Sequence, residues 1–407
     1  MAGVTGWHYR LVTFQGWVAD MSLPGSFLVY ATSPIPELAG RAGGTSLWRS
    51  ASLAAPATAR VEWADVAKGV CIVLVVSWHV IVKDYLLVDW HIGLPLPGFW
   101  GTLGEQFLPL RMPLFFTISG LFAANAVRRP WREVARSRIA KFLYLYTVWL
   151  VIHTAILPVA PDLPTERATS PLDFLAQLTI TPSNLWYLYA LAIYFVVAKA
   201  VRRAPPAAVL VPAAVLSAVA AAGWVSTPGD RGGFYQNLVF FLAGLWFRPR
   251  VERLAAGATR RRLVLAAAAY VVVLVLMAAL GAEEWFGVWL VVSVVAVMFG
   301  VTAAARLTRR PRISDRLVRL GRVTLPIYVI HMPVLAVLHR LLHEPLSALG
   351  GGAQLLVALV YPPMLTALVV VLCLMIHRGL TRVGARWLFD LPAVARRRAT
   401  EPAGALP

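Results

Sequence analysis

Long apolar runs alternate with short polar segments along most of this chain, from about residue 66 onward. A helix needs about 20 mostly apolar residues to cross roughly 30 Å of hydrocarbon. Ten runs approach that length: 66–82, 108–127, 140–158, 185–201, 207–224, 234–247, 263–280, 286–304, 323–342 and 354–377. The sixth run is short, and the ninth contains Pro326 and Pro333. The pattern predicts an all-α polytopic membrane protein with about ten transmembrane helices.

The basic residues give these runs an orientation. Of the 38 Lys and Arg residues, 28 fall in alternate connecting segments, which are 128–141, 199–203, 248–262, 306–322 and 378–398. The opposite set of segments holds four basic residues and ten acidic ones. Because cytoplasmic loops of multi-pass proteins are enriched in Lys and Arg, we expect ten spans with both termini in the cytoplasm.

Composition supports a membrane protein. Apolar residues make up 59% of the 407 residues, charged residues only 14%, and the mean hydropathy is +0.70. Soluble domains have about 45–50% apolar and about 25% charged residues, so a soluble multi-domain enzyme, a disordered chain and a fibrous repeat are excluded. The net charge of +19 is a signal that also occurs in nucleic-acid-binding proteins. Its clustering between apolar runs favours membrane topology instead, and we expect no nucleic-acid partner.

The two ends of the chain do not follow the membrane pattern. Residues 1–60 contain no long apolar run and are punctuated by Pro and Gly. We interpret them either as a flexible N-terminal extension or as the product of a start codon assigned too far upstream. The membrane domain is expected over 61–390, followed by a cytoplasmic tail over 391–407. The expected location is the plasma or inner membrane, with membrane lipids as partners.

Ionisable residues inside the apolar runs are the candidates for chemistry, because each costs roughly 2.5–3.5 kcal/mol near mid-helix on insertion scales. In the first run, Lys68 and His79 are eleven residues apart, so they share roughly one helical face and lie about 16 Å apart along it. Lys68 can extend to the cytoplasmic headgroups. His79 either caps the outer end of the helix or exchanges a proton there.

The second and ninth runs carry further candidates. Arg111 begins the second run at a depth similar to that of His79, where it is either an interface anchor or a functional cation. The adjacent pair Ser119–Gly120 forms a small-residue notch that also occurs in ordinary helix packing. His331 lies between two prolines near mid-bilayer, which is a poor structural choice in lipid and favours a functional role.

Other polar and aromatic positions have simpler alternatives. Arg138 and Lys141 are three positions apart in the sequence. Either they form a forked phosphate site or they mark a cytoplasmic loop. Trp186 and Tyr187 are explained by the aromatic belt at a membrane interface. His339 and His343 share a helical face, but no third ligand accompanies them, so we expect no metal.

Taken together and in this order, the segments resemble the membrane-bound acyltransferase family 3. The resemblance covers about residues 61–377 and rests on six motifs. They are D-x-x-K/R-G…H (Asp65, Lys68, Gly69, His79), P-x-F-F-x-x-S-G (Pro113, Phe115, Phe116, Ser119, Gly120), R-x-x-R (Arg138, Lys141), L-W-F/Y-L (Leu185–Leu188), F-F-x-x-G (Phe240, Phe241, Gly244) and L-G-x-x-S/T-L-x-I-Y-x-x-H (Leu320–His331). The departures are Lys at position 141, Thr at 324 and the unmatched first 60 residues.

The resemblance implies transfer of an acyl group, often acetyl, from cytoplasmic acyl-coenzyme A to a hydroxyl of an extracytoplasmic glycan, glycolipid or exported metabolite. In that scheme His79, Arg111 and His331 are catalytic, and Lys68, Arg138 and Lys141 bind the donor. The remaining motif residues expected at the site are Asp65, Ser119, Trp186, Tyr187 and Tyr328. We expect His79 to act as a general base, with a covalent acyl-histidine as the alternative.

Two other functions compete. A transporter of a polar or anionic metabolite would use the same buried cations, but paired broken helices in inverted halves are expected for that class. Prolines interrupt the ninth and tenth runs without matching interruptions in the first half. A glycosyltransferase that uses a lipid-linked sugar would need acidic catalytic residues in an outer loop, and the outer acids here are scattered.

Overall fold

The structure is a computed structural model that describes residues 62–225 and 232–392. The predictions for 1–60 and for nearly all of 391–407 lie outside this part of the chain. Sixteen α-helices are found there, and none of the described residues forms a strand. The helices are α1 Glu62–Lys83, α2 Leu96–Gln106, α3 Leu108–Ala126, α4 Trp131–Val134, α5 Lys141–Ile156, α6 Pro171–Thr179, α7 Trp186–Ala200, α8 Pro206–Ala221, α9 Gly232–Gln236, α10 Leu238–Trp246, α11 Arg248–Ala256, α12 Arg260–Leu280, α13 Val288–Leu307, α14 Pro311–Arg322, α15 Thr324–Ser347 and α16 Gly351–Arg382.

Each of the ten predicted runs coincides with apolar helix. Seven stretches in the described chain are long and apolar enough to cross a membrane: Glu62–Leu87, Leu96–Ala126, Trp131–Val159, Arg260–Leu280, Val288–Leu307, Thr324–Ser347 and Gly351–Arg382. The fourth and fifth runs form the shorter helices α7 and α8. The sixth, already short in sequence, is divided between α9 and α10. The all-α, multi-pass architecture is confirmed, and the side on which each terminus lies stays a prediction.

Prolines do not end the long helices. α15 continues through Pro333 and Pro345, and α16 continues through Pro362 and Pro363. Inside a membrane protein, hydroxyl side chains and neighbouring helices satisfy the backbone groups that proline leaves free. The missing N–H of Pro362, for example, frees the carbonyl of Ala358, and this carbonyl accepts a hydrogen bond from the hydroxyl of Tyr85 at 3.0 Å. The two prolines around His331 therefore lie within one helix that reaches Ser347.

Helix α1 lies at the centre of the bundle. It packs against α3, α13, α14, α15 and α16, and its buried residues occur along its whole length. At the edge of the described bundle, α12 packs mainly on α13, and only Tyr270 and Leu274 of its residues are buried. The polar residues of α1 consequently face protein on several sides, whereas α12 presents most of its apolar surface outward.

Four glycines allow two pairs of helices to approach at backbone distance. A Cβ atom at Gly69 or Gly321 would overlap the opposing backbone where α1 crosses α14. Gly120 and Gly244 have the same relation where α3 crosses α10. Small residues drive such close helix contacts in membranes, where van der Waals packing replaces the hydrophobic effect. All four belong to the motifs of the sequence, so part of each motif is explained by packing.

We predict that Gly120→Ala lowers the thermal unfolding temperature of the detergent-solubilised protein. The added methyl group overlaps the carbonyl of Phe241, and overpacking of this kind costs about 1–3 kcal/mol. Gly379→Ala in α16 is the matched control, because a Cβ there meets open space. Equal unfolding temperatures for the two variants would contradict the packing role of Gly120.

Candidate active site

Two histidines meet between α1 and α15. The ring centroids of His79 and His331 are 5.0 Å apart, and their planes are inclined by 58°. Asp84, directly after the last residue of α1, is also in contact with His339, farther along α15. Because both contacts advance in the same chain direction, α1 and α15 run parallel at this point. The predicted catalytic histidines, 252 residues apart in sequence, are thus adjacent in space.

Backbone carbonyls fix the tautomer of both rings. Nδ1 of His79 lies 2.8 Å from the carbonyl oxygen of Val75, and Nδ1 of His331 lies 2.7 Å from that of Tyr328. A carbonyl oxygen only accepts hydrogen bonds, so each Nδ1 carries the proton and each neutral ring presents its lone pair at Nε2. Nε2 of His331 is buried and has no hydrogen-bond partner in the described chain. Both imidazoles are therefore arranged to accept a proton at Nε2.

Arg111 lies next to this pair. Its guanidinium carbon is 4.5 Å from the ring centroid of Trp78, the residue before His79. The Arg111 side chain is buried, and its Nη1 atom has no hydrogen-bond partner among the described residues. Arg111 and Lys83 both lie within electrostatic range of His79. The three residues expected to be catalytic therefore occupy one region.

A cavity of about 250 Å³ contains several of the predicted donor-binding and motif residues. Lys68 and Arg138 provide its cations, while Ser119, Tyr187 and Tyr328 provide hydroxyl groups. The rest of the lining is largely apolar or aromatic: Phe115, Phe122, Ala123, Phe142, Leu188, Leu191, Phe195, Thr324 and Leu325. The cavity thus combines two positive charges with an apolar wall.

Hydrogen bonds and ion pairs hold the polar walls of this cavity. Lys68 forms an ion pair of 2.7 Å with the buried Asp65, the motif acid three residues earlier. The hydroxyls of Ser119 and Tyr187 are 3.0 Å apart, and the backbone N–H of Tyr187 donates to the hydroxyl of Tyr328 at 3.2 Å. The hydrogen bonds join α3, α7 and α15 around the cavity, and the ion pair fixes the Lys68 side chain that α1 contributes.

Tyr328 links the cavity to the histidine pair. It lines the cavity, and its ring centroid is 5.9 Å from that of His331. His331 in turn is 5.0 Å from His79. The ring of Tyr328 therefore connects the cavity that contains Lys68 and Arg138 with the pair of histidines. This pair lies about 16 Å along α1 from Lys68.

Lys141 does not share the cavity of Arg138. It lines a second cavity of about 620 Å³ together with Arg129, Arg132 and Arg136, and its Nζ atom forms a 2.8 Å ion pair with Asp390. Ala135–Ala140 form a π-helical turn. Such a turn is wider than an α-helical one, so residues three apart no longer lie above one another. The forked site expected from their spacing is replaced by two separate cationic positions.

The contact between Lys141 and Asp390 is electrostatic and lies near the surface. Partial burial raises the pKa of Asp390, but the hydrogen bond and the charge of Lys141 bring the pKa below its ordinary value. Asp390 follows a segment anchored on α5, where the indole N–H of Trp149 donates to the carbonyl of Leu388 at 2.7 Å. The end of the described chain thus supplies an anion to the second cationic cavity.

Trp186 lies outside both cavities. Its ring is 6.0 Å from that of Phe116 at the first turn of α7, whereas the next residue, Tyr187, lines the first cavity. The aromatic-belt interpretation therefore applies more closely to Trp186 than to Tyr187.

Sequence reasoning missed His153 on α5. This side chain is buried, its Nε2 lies 2.9 Å from the carbonyl oxygen of Val329 on α15, and its Nδ1 has no partner within the described residues. Its position in the third apolar run is the same signal that identified His331. His153 thereby holds α5 against the turn of α15 that precedes His331.

A second missed group is formed by Asp84, His339 and Tyr361. The Asp84 carboxylate is fully buried and accepts one hydrogen bond from Nδ1 of His339 at 2.8 Å and another from the hydroxyl of Tyr361 at 2.7 Å. In the sequence, Asp84 lies in a connecting segment and His339 lies in the ninth apolar run, so their spacing gives no sign of this contact. Their contact fixes the end of α1 to α15 and α16 just beyond the histidine pair.

We predict that Asp84→Ala destabilises the protein by about 3 kcal/mol, because it leaves His339 and Tyr361 without their buried acceptor. Unfolding of the purified protein in detergent measures this loss. Asp89→Ala is the matched control, since Asp89 is exposed five residues later. A destabilisation no larger than that of the control would contradict the role of Asp84 as a buried anchor.

The comparisons with known proteins match nearly the same residues as those expected for the membrane domain. The family model described as an acyltransferase domain matches residues 61–378. Among curated proteins, the inner membrane protein YcfT of Escherichia coli (strain K12) is 28% identical over 355 residues, which cover 82% of this chain and 96% of that relative. No solved structure matches the chain.

Proposed function

This chain belongs to the acyltransferase family whose model spans residues 61–378, and from that premise we propose that it is a membrane O-acyltransferase. The proposed donor is cytoplasmic acyl-coenzyme A, with acetyl as the acyl group. The proposed acceptor is a hydroxyl of an extracytoplasmic glycan, glycolipid or exported metabolite. The observation that carries the proposal is the His79–His331 pair, whose Nε2 atoms are both set to accept a proton.

The cell membrane is the proposed location. The described chain has seven stretches able to cross a membrane, and YcfT is named as an inner membrane protein. We propose that the protein lies in the plasma or inner membrane, with both termini in the cytoplasm. The concentration of basic residues in alternate loops supports this orientation.

His79 is the proposed general base. Its Nε2 takes the proton of the acceptor hydroxyl while the oxygen attacks the thioester carbonyl. A carbon–oxygen bond forms, the carbon–sulfur bond breaks, and the imidazolium returns its proton to the coenzyme A thiolate. His331 is the proposed second proton-accepting residue. Its Nε2 atom accepts a hydrogen bond from another hydroxyl of the substrate or relays a proton. Direct transfer is favoured, since this scheme needs no covalent acyl-enzyme.

Lys68 and Arg138 are the proposed contacts of the donor. Coenzyme A is anionic at its phosphates and long and thin along its pantetheine arm. A cavity with two cations and an apolar wall suits the junction between these parts. The ring series from Tyr328 through His331 to His79 then gives the direction in which the thioester would extend.

We expect His79→Ala to lower kcat by about 10²–10⁴-fold, the usual contribution of a general base. The assay is transfer of radiolabelled acetyl from acetyl-coenzyme A to cell-envelope extract by the purified protein. His91→Ala is the control, because the side chain of His91 is exposed. Retained transfer in the His79 variant would remove this residue from the mechanism. Movement of a metabolite without covalent label would indicate a transporter instead.

We expect Arg138→Ala to raise the KM for acetyl-coenzyme A about 10–100-fold, because it removes a charge-assisted contact with phosphate. Lys141→Ala should raise KM less, since Asp390 already neutralises the Lys141 ammonium group. Initial rates at varied donor concentration measure both effects. An unchanged KM in the Arg138 variant would reduce this residue to a marker of topology.

A further inference from the structure

Arg111 is a buried cation whose counter-ion is absent from the described protein. Only 8% of the residue is exposed, and Nη1 has no hydrogen-bond partner in the described chain. Two acids are buried among the described residues, and both are engaged elsewhere. Asp65 pairs with Lys68 and Arg322, and Asp84 pairs with His339 and Tyr361.

An isolated charge in a membrane interior is strongly unfavourable unless it is paired. The ring of Trp78 stabilises the Arg111 guanidinium in part, by a cation–π contact at 4.5 Å. That contact provides no hydrogen-bond acceptor, and Nη1 lacks one among the described residues. A planar guanidinium matches a carboxylate or phosphate through two parallel hydrogen bonds.

The neighbours of Arg111 narrow the chemistry further. Beside Trp78, the Nε2 atoms of His79 and His331 are hydrogen-bond acceptors, and that of His331 is buried without a partner. Acceptor nitrogens require donors such as hydroxyl groups. One cation and two acceptors together are complementary to a molecule that carries both an anionic group and hydroxyl groups.

We propose that the acceptor of the acyl group is anionic, a hydroxyl-bearing molecule whose carboxylate or phosphate pairs with Arg111. The inference rests on the proposed function in so far as it identifies the bound molecule as the acyl acceptor. Binding of the anion itself does not require turnover. The anion of a bound acceptor pairs with the buried cation for as long as the acceptor is bound, so it compensates Arg111 better than the oxyanion of the transition state does. The oxyanion exists only transiently and would leave Arg111 uncompensated for most of the cycle.

The binding test uses matched neutral and anionic probes in the absence of donor. The pairs are glucose with glucuronate, galactose with galacturonate, and glycerol with glycerol 3-phosphate. A ligand that binds the folded state raises the unfolding temperature by mass action. We expect an anionic member to raise this temperature in the wild type more than its neutral partner does. Galacturonate and glycerol 3-phosphate distinguish a carboxylate from a phosphate as the preferred group.

Arg111→Gln and Arg111→Lys assign that effect. Arg111→Gln should unfold at a higher temperature than the wild type without ligand, because the uncompensated charge is gone, and should lose the anion-dependent shift. Arg111→Lys should retain a smaller shift, because an ammonium group keeps the charge without the planar fork. Equal shifts from neutral and anionic probes in the wild type, or an unchanged anion shift in Arg111→Gln, would overturn the inference.

Measurements of acyl transfer distinguish this inference from the proposed function. In the wild type, kcat/KM for an anionic acceptor should exceed that for its neutral partner about tenfold, which corresponds to one charge-assisted contact. In Arg111→Gln this ratio should fall to about one. Equal wild-type values for the two acceptors would overturn the anionic assignment while leaving acyl transfer intact. Absence of transfer to every acceptor would overturn the proposed function, and the donor-free binding result would still decide the anion site.

Discussion

The absence of water from the hydrocarbon region is the constraint on which the structure depends. A polar group there must find its partner within the protein, because no solvent can supply one. Helix α1 carries Asp65, Lys68 and His79, and Asp84 directly follows its last residue, so this segment has more ionisable side chains than an apolar helix could expose to lipid. It lies accordingly among α3, α13, α14, α15 and α16. The need to satisfy these side chains makes α1 the centre of the bundle.

Some motif residues allow the helices to pack closely, and others line the candidate site. Gly69, Gly120, Gly244 and Gly321 permit backbone contact at two helix crossings. Those crossings bring the polar motif residues on the same helices into one region. Lys68 directly precedes Gly69, and Ser119 directly precedes Gly120, so these two cavity-lining residues each adjoin a close helix contact. The glycines set the helix separation on which the geometry of the first cavity depends.

The cationic groups are distributed according to their partners. Lys68 has Asp65, and Lys141 has Asp390, so both carry an internal counter-ion. Arg138 lies against the ring of Phe195, and Arg111 lies against that of Trp78, with no acid paired to Arg111 in the described chain. This contrast separates Lys68 and Lys141, which have an acidic partner in the described chain, from Arg138 and Arg111, which form no ion pair with a described acid. Of these two arginines, only Arg111 is buried.

The class of fold and the positions of nearly all the apolar helices can be predicted from the sequence. Apolar length and the basic loops follow directly from the cost of placing polar groups in lipid, and this cost is local to each segment. The sequence also indicates His79, Arg111 and His331 as candidate site residues, because an ionisable residue in an apolar run is recognisable without any knowledge of its neighbours. Which of these residues meet depends on how the helices pack. The contact of His79 with His331, the pairing of Asp84 with His339, and the separation of Lys141 from Arg138 by a π-helical turn depend on helix crossings and helix register. Those features arise from side-chain packing between segments far apart in the chain, so no local pattern contains them.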